Sequence, residues 1–153
     1  MNVFVYGTLL VPRIWEAVTR VSEVLSHPAL LHGHTLRRVR GASYPGMFAT
    51  PESVPAVPGR VYFDLPERVL RRLDAYEDTF YLRREVFPEV SGRGPVAAQA
   101  YLIPEDEAAL LLSEESWSLE WFEENALAEF WRSVFEPHSD RPAASSRQSP
   151  SST

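Results

Sequence analysis

Three acidic residues stand close together near the middle of the chain, in the segment Leu73-Asp74-Ala75-Tyr76-Glu77-Asp78. Val69, Leu70 and Leu73 recur at helical spacing, which predicts a helix that ends at these acids. Because the C-terminal end of a helix is negative, each carboxylate there is disfavoured by about 0.3–1 kcal/mol. A partly buried carboxylate beside like charges should have a raised pKa, as a general base working near neutrality requires. The alternative is an acidic helix end that water and salt screen.

A second candidate site is the glycine turn Tyr6-Gly7-Thr8-Leu9, where an apolar segment meets a predicted helix. Glycine allows a ligand to approach the main chain closely. Free N–H groups ahead of a helix can bind a carboxylate or an oxyanion, and Tyr6 and Thr8 would add hydroxyl groups. Taken alone, the segment fits equally a tight turn in which Tyr6 packs in the core.

Apolar periodicity predicts the elements that position these residues. Strands are predicted at 1–6, 29–40, 59–63, 80–90 and 96–103. Helices are predicted at 12–25, after an N-cap at Asp64, and as one long helix at 118–135, whereas 42–58 reads as loops around a short extended piece. Because the strands and helices do not alternate regularly, the sequence predicts an α+β domain around a curved or barrel-like sheet.

Length and composition favour one domain in residues 1–136. The chain has 153 residues, of which 44% are hydrophobic, enough for a single core. From residue 137 to 153 the composition changes to Ser, Pro, Arg and Ala, which predicts a disordered tail.

Charge and composition exclude several function classes. A net charge of −6 disfavours binding to nucleic acid or to an anionic membrane surface. All 15 basic residues are Arg and there is no Cys, which removes lysine Schiff bases, thiolate nucleophiles and disulfides. The chain has no apolar run of about 20 residues and no basic leader, so we expect a cytoplasmic protein.

Other constellations are weaker. His32 and His34 could share a strand face, but no third metal ligand is near in sequence, so we expect no metal site. Ser43 lacks the nucleophile-elbow motif of serine hydrolases.

Taken in order, these segments resemble the γ-glutamylcyclotransferase-like family. The start Val-Phe-Val-Tyr-Gly-Thr-Leu is similar to its first-strand signature. The stretches 57–62, Leu73-Asp74-Ala75-Tyr76-Glu77 and Tyr81-Leu82-Arg83 are similar to its second, and Tyr44-Pro45-Gly46-Met47 to its substrate loop. The opening of the last helix, at 117–122, is similar to the branch named after plant avirulence-induced proteins.

The resemblance implies a small mixed β-barrel flanked by helices, with a C-terminal helix. It implies a reaction in which a γ-glutamyl amide closes on its own α-amine, giving 5-oxoproline and a free amine without a cofactor. Glu77 would be the general acid and base. The residues that would bind the small-molecule γ-glutamyl substrate are Tyr6, Gly7, Thr8, Leu9, Tyr44, Pro45 and Tyr81.

Two alternatives remain at this point. The same scaffold could be a non-catalytic binding module for a small carboxylate ligand or a protein partner. It could also be an amidase in which Glu77 activates water. The sequence does not indicate the oligomeric state or which amine leaves.

Overall fold

The computed structural model of the chain describes residues 1–77 and 81–136. The segment predicted as a disordered tail, 137–153, lies outside the described residues, as does the start of the strand predicted at 80–90.

Within the described residues, nine strands form two sheets. Their bounds are β1 Val3–Val5, β2 Ser26–Leu31, β3 His34–Arg38, β4 Pro45–Ala49, β5 Val57–Tyr62, β6 Leu82–Val86, β7 Glu89–Val90, β8 Gly94–Pro95 and β9 Ala98–Leu102. The larger sheet has the order β6-β9-β1-β5-β2-β7-β8, and β3 pairs with β4 in the smaller one. Only the β1–β9 pair is parallel among the described pairs, so the large sheet is mixed.

Five α-helices and a short 3-10 helix lie within the described ranges. They are the 3-10 helix Thr8–Leu10, α1 Pro12–Thr19, α2 Glu67–Tyr76, α3 Glu105–Leu111, α4 Leu119–Asn125 and α5 Leu127–Phe135. The large sheet curls into a half-barrel flanked by these helices, which confirms the predicted α+β class and curved sheet.

The core lies on both sides of β1. Val3 and Val5 pack in a cluster with residues of α1, α2, α4 and α5, including Ile14, Leu73 and Phe122. The next residue, Phe4, packs in a second cluster with strand residues of the half-barrel. Because consecutive side chains of a strand point to opposite faces, β1 is buried on both sides. The turn that follows it is therefore fixed to the centre of the fold.

Several predicted boundaries were wrong for local reasons. Helix α1 ends at Thr19, where Arg20 takes a left-handed conformation with φ 63°, so the helix does not reach residue 25. The strand predicted at 29–40 is two strands separated by a turn with Gly33 at φ 76°. The N-cap of α2 is Pro66, because Asp64 itself has φ 55°.

The end of the described chain also differs from the prediction. The single helix predicted at 118–135 is broken at Ala126, which has φ −132°, so α4 and α5 are separate. Ser118 caps α4 by accepting a hydrogen bond from the Trp121 N–H at 3.1 Å. Helix α3 was not predicted.

Candidate active site

The glycine turn follows directly from the buried strand β1. Gly7 accepts a hydrogen bond from the Leu10 N–H at 2.9 Å, which starts the 3-10 helix. A Cβ atom on Gly7 would lie 2.9 Å from Cγ of Pro45 and 3.2 Å from its Cδ. Only glycine allows the turn and the Pro45 ring to approach this closely, so the two segments form one wall.

The segment Tyr44-Pro45 is held in place from two sides. The Tyr81 hydroxyl donates a hydrogen bond to the Pro45 carbonyl at 2.7 Å. The indole N–H of Trp117 donates to the Ser43 carbonyl at 2.8 Å. These bonds attach the start of β4 both to the segment after Glu77 and to the segment that leads into α4.

Glu77 is the C-cap residue of α2, and its N–H donates to the Leu73 carbonyl at 3.0 Å. The residue as a whole keeps part of its surface exposed, but protein atoms replace most of the water around its carboxyl group. This desolvation, with the nearby negative charge of Asp74 as a smaller cause, raises the pKa of Glu77 from 4.5 to about 8. Glu77 can therefore accept or donate a proton near neutral pH.

Glu77, the glycine turn and the Tyr44-Pro45 segment meet at one narrow pocket. It holds about 360 Å³ of empty space, its open mouth included. Its lining is formed by Phe4, Val5, Tyr6, Gly7, Thr8, Leu9, Tyr44, Pro45, Glu77, Tyr81 and Tyr101. All eight residues that the sequence predicted as a site are in this lining.

Among the described lining residues, Glu77 is the only one with a carboxyl, guanidinium or imidazole side chain. The phenols of Tyr6 and Tyr81 are neutral at physiological pH, because burial raises the pKa of each well above 10. Tyr6 donates its hydroxyl proton to the Tyr101 carbonyl at 2.6 Å. The pocket is thus a mostly uncharged enclosure around one carboxyl group.

Sequence reasoning missed Tyr101, which lies in β9 and lines the pocket. Its hydroxyl donates to Oδ1 of Asp74 at 2.6 Å, and the Arg83 Nε lies 3.1 Å from the same oxygen. The signal was weak, since a tyrosine in an apolar strand is ordinarily a core residue. Only the pairing of distant segments brings it to Glu77.

The predicted absence of a metal site rested on the histidines of the 32–34 segment. His32 Nε2 lies 3.5 Å from Glu89 Oε1, and His34 Nδ1 lies 3.0 Å from the His32 carbonyl. In the described ranges, no group of three or more His, Cys, Asp or Glu side chains is arranged to hold a metal ion.

No helix among residues 1–77 and 81–136 has the length and apolar character to cross a membrane.

The sequence matches the family model described as gamma-glutamyl cyclotransferase, AIG2-like, over residues 3–119. A comparison with curated proteins gave no match.

Several solved structures are similar to this chain. One Arabidopsis thaliana protein, known from a solution structure, is 22% identical, with 99% of this chain and 94% of that chain covered and a TM-score of 0.64. A second Arabidopsis protein is 23% identical over 86% of each chain, with a TM-score of 0.62. A yeast gamma-glutamyl cyclotransferase specific to glutathione is 17% identical over 76% of this chain and 73% of that chain, with a TM-score of 0.55. At these identities the likeness concerns the fold.

Proposed function

Since the chain belongs to the gamma-glutamyl cyclotransferase, AIG2-like family, we propose that it cyclises γ-glutamyl amides to 5-oxoproline and releases a free amine, with Glu77 as general acid and base. The observation that carries this proposal is the position of Glu77. It carries the one carboxyl group among the described lining residues, in a pocket that raises its pKa to about 8.

The state of Glu77 suits a substrate with an ammonium group. With a pKa of about 8, Glu77 is mostly protonated in the free protein at pH 7, and a bound cation shifts this balance toward the carboxylate. The α-ammonium of a γ-glutamyl compound is such a cation, and it must lose a proton before it can attack. A base whose pKa lies near the working pH transfers protons efficiently in both directions.

Two protons leave the α-ammonium nitrogen and two reach the departing nitrogen, and Glu77 can carry them in turn. Its carboxylate takes the first proton, and the freed amine attacks the γ-carbonyl carbon, forming the ring C–N bond and an oxyanion. Protonated Glu77 gives this proton to the departing nitrogen, and collapse of the oxyanion breaks the original amide C–N bond. Glu77 then takes the second proton from the ring nitrogen and passes it to the released amine, which leaves as an ammonium ion, so no net proton is gained or lost. Because nucleophile and carbonyl belong to one molecule, holding the folded conformer supplies much of the rate enhancement.

Backbone groups would supply the remaining polar contacts. The described lining contains no Arg, so the substrate carboxylate and the oxyanion depend on N–H groups and on the Thr8 hydroxyl. The glycine turn is the segment to which we assign them, because Tyr6, Gly7, Thr8 and Leu9 line the pocket at the start of the 3-10 helix.

The leaving amine is tested by a panel of γ-glutamyl amines, γ-glutamyl amino acids and glutathione, with 5-oxoproline as the assayed product. Glutathione belongs in the panel because the yeast neighbour is described as specific to it. At least one compound should yield 5-oxoproline with the wild-type protein. Glu77→Gln keeps the shape of the side chain but cannot accept a proton, so its turnover should fall by at least 10²-fold.

Each alternative has its own outcome in the same experiment. Free glutamate in place of 5-oxoproline would identify an amidase that activates water. Binding of γ-glutamyl compounds without turnover would identify a binding module. Equal turnover by wild-type protein and by folded Glu77→Gln would refute the role given to Glu77.

A further inference from the structure

Asp74 lies in the last turn of α2, three residues before Glu77, and is outside the pocket lining. Although 43% of its side chain is exposed, one of its oxygens, Oδ1, has two partners. The Tyr101 hydroxyl donates to it at 2.6 Å, and Arg83 Nε lies 3.1 Å away. Arg83 and Tyr101 are directly opposite each other in the β6–β9 pair. The sheet therefore brings both partners to the end of the helix that carries Glu77.

The bond to Asp74 decides what Tyr101 can offer to the pocket. A phenol has one proton, and that of Tyr101 is donated to Asp74. A carboxylate has no proton to give back, so Tyr101, which lines the pocket, can offer its hydroxyl oxygen to a ligand only as an acceptor. Lone pairs accept hydrogen bonds from a cation such as an ammonium group and repel a carboxylate.

Among the described residues, Asp74 is also the charged group that raises the pKa of Glu77. The other titratable groups that interact with Glu77 from the surrounding elements are the phenols of Tyr6, Tyr76, Tyr81 and Tyr101. Burial raises the pKa of each of these phenols, so they stay neutral over the pH range in which Glu77 titrates. Arg83 is directed to Asp74.

We propose that Asp74 is a positioning residue that adapts the pocket to an ammonium group: it holds the Tyr101 proton away from the pocket and places a second negative charge one helical turn from Glu77. The inference rests on the proposed cyclisation, because the ammonium group is the α-ammonium of the γ-glutamyl substrate. Tyr101 is then a substrate-binding residue that acts as an acceptor.

The first test is the pH dependence of kcat/KM in Asp74→Asn. Asparagine keeps an acceptor oxygen for Tyr101 but removes the charge, so the acid limb of the profile should move to lower pH by roughly one unit. The matched control is Glu67→Gln, which makes the same change in net charge in the first turn of the same helix, where Glu67 pairs with Arg71 at 3.7 Å. The control should keep the wild-type midpoint. Equal midpoints in folded Asp74→Asn and in the control would overturn the proposal.

The second test separates the two effects of Asp74. Tyr101→Phe removes the hydroxyl but leaves Asp74 and its charge, so kcat/KM should fall roughly 10- to 100-fold, as for a lost hydrogen bond to a charged group. The loss should be mainly in KM, with the pH midpoint close to that of the wild type. Wild-type kcat/KM in Tyr101→Phe would eliminate the acceptor role.

A measurement without turnover keeps this proposal separate from the proposed function. The Glu77 carboxyl can be titrated by carbon NMR and assigned by the signal lost in Glu77→Gln. Its midpoint should be lower in Asp74→Asn than in the wild type, with the melting temperature recorded as a check on folding. If no γ-glutamyl compound is turned over, the proposed function fails, whereas an unchanged Glu77 titration would defeat the role of Asp74 by itself.

Discussion

The hydroxyl groups of Thr8 and Tyr76 lie 2.7 Å apart and form a hydrogen bond. This bond joins the glycine turn after β1 to the residue immediately before Glu77. Tyr76 is fixed further by its ring, which stacks on that of Phe135 in α5 at 6.4 Å. The two chemically distinct parts of the candidate site, the turn and the carboxyl group, are therefore mechanically coupled.

Breaking this bond should lower stability and activity together. In Thr8→Val, the Tyr76 hydroxyl loses its partner in a partly buried place, which costs about 1–3 kcal/mol. Thr8→Ser keeps the hydroxyl and should stay close to the wild type. Urea denaturation of Thr8→Val, Tyr76→Phe and the double variant measures the coupling. The double variant should be about 1 kcal/mol more stable than the sum of the single changes predicts. Additive losses would mean that the two hydroxyl groups do not interact.

The close approach of the glycine turn to Pro45 makes a second prediction. In Gly7→Ala, the new Cβ would press against the Pro45 ring at 2.9 Å, so one wall of the pocket must move. We expect 5-oxoproline formation to fall at least tenfold, and stability to fall by about 1–3 kcal/mol, as for other overpacked sites.

The control for this change is Gly41→Ala. Its Cβ meets nothing within 4 Å, but its φ of 72° makes a side chain strained. This variant should therefore lose stability without losing substrate affinity. If both variants lose stability equally and both keep full activity, the contact between Gly7 and Pro45 does not shape the site.

The residues of the candidate site that could be predicted from sequence are those in short continuous segments. Gly7 sits between an apolar strand and a helix start, and Glu77 sits where a helix carries acids at its negative end; both signals are local. Tyr101 could not be predicted, because its role depends on facing Arg83 across the β6–β9 pair, a register set by residues far apart in sequence.

The main elements of the fold could also be predicted from local sequence patterns. The apolar run of β1 and the helical spacing of Val69, Leu70 and Leu73 were sufficient for the main elements and the α+β class. The errors lie where single residues take special backbone angles, as at Arg20 and Gly33. Apolar periodicity continues across such residues, so it does not reveal where an element ends.

The link between Trp117 and the substrate-loop segment leads to a third prediction. The ring centroids of Trp117 and Phe122 lie 5.7 Å apart. Trp117→Phe keeps an aromatic ring in this place but loses the hydrogen bond to the Ser43 carbonyl, next to Tyr44. KM should rise a few-fold, and the free energy of unfolding should fall by about 1–2 kcal/mol. In the matched control Trp131→Phe, the lost bond goes to an exposed carboxylate, that of Glu136. The control should keep the wild-type KM, and a KM raised equally in both would contradict a specific role for Trp117.

The raised pKa of Glu77 predicts how stability depends on pH. Glu77 titrates at about 8 in the folded protein and at 4.5 as an ordinary carboxyl, so the folded state binds its proton more tightly than the unfolded state. The stabilisation by the neutral carboxyl is complete below about pH 4.5. It is lost as the pH rises toward and through 8, because ionisation then favours the unfolded chain. Glu77→Gln cannot ionise, so it lacks this loss.

Urea denaturation of wild-type protein and Glu77→Gln between pH 5 and 9 tests this dependence. The stability of the variant relative to the wild type should increase with pH by at most about 1.4 kcal/mol per unit and level off above pH 8. Solvent screening at the partly exposed Glu77 reduces the total change in stability, whereas the limiting slope depends only on the one proton released. Groups common to both proteins cancel in the difference, so the slope reports Glu77 itself. Parallel curves over the whole range would mean that folding does not raise the pKa of Glu77. That result would remove the argument for Glu77 as a base near neutral pH.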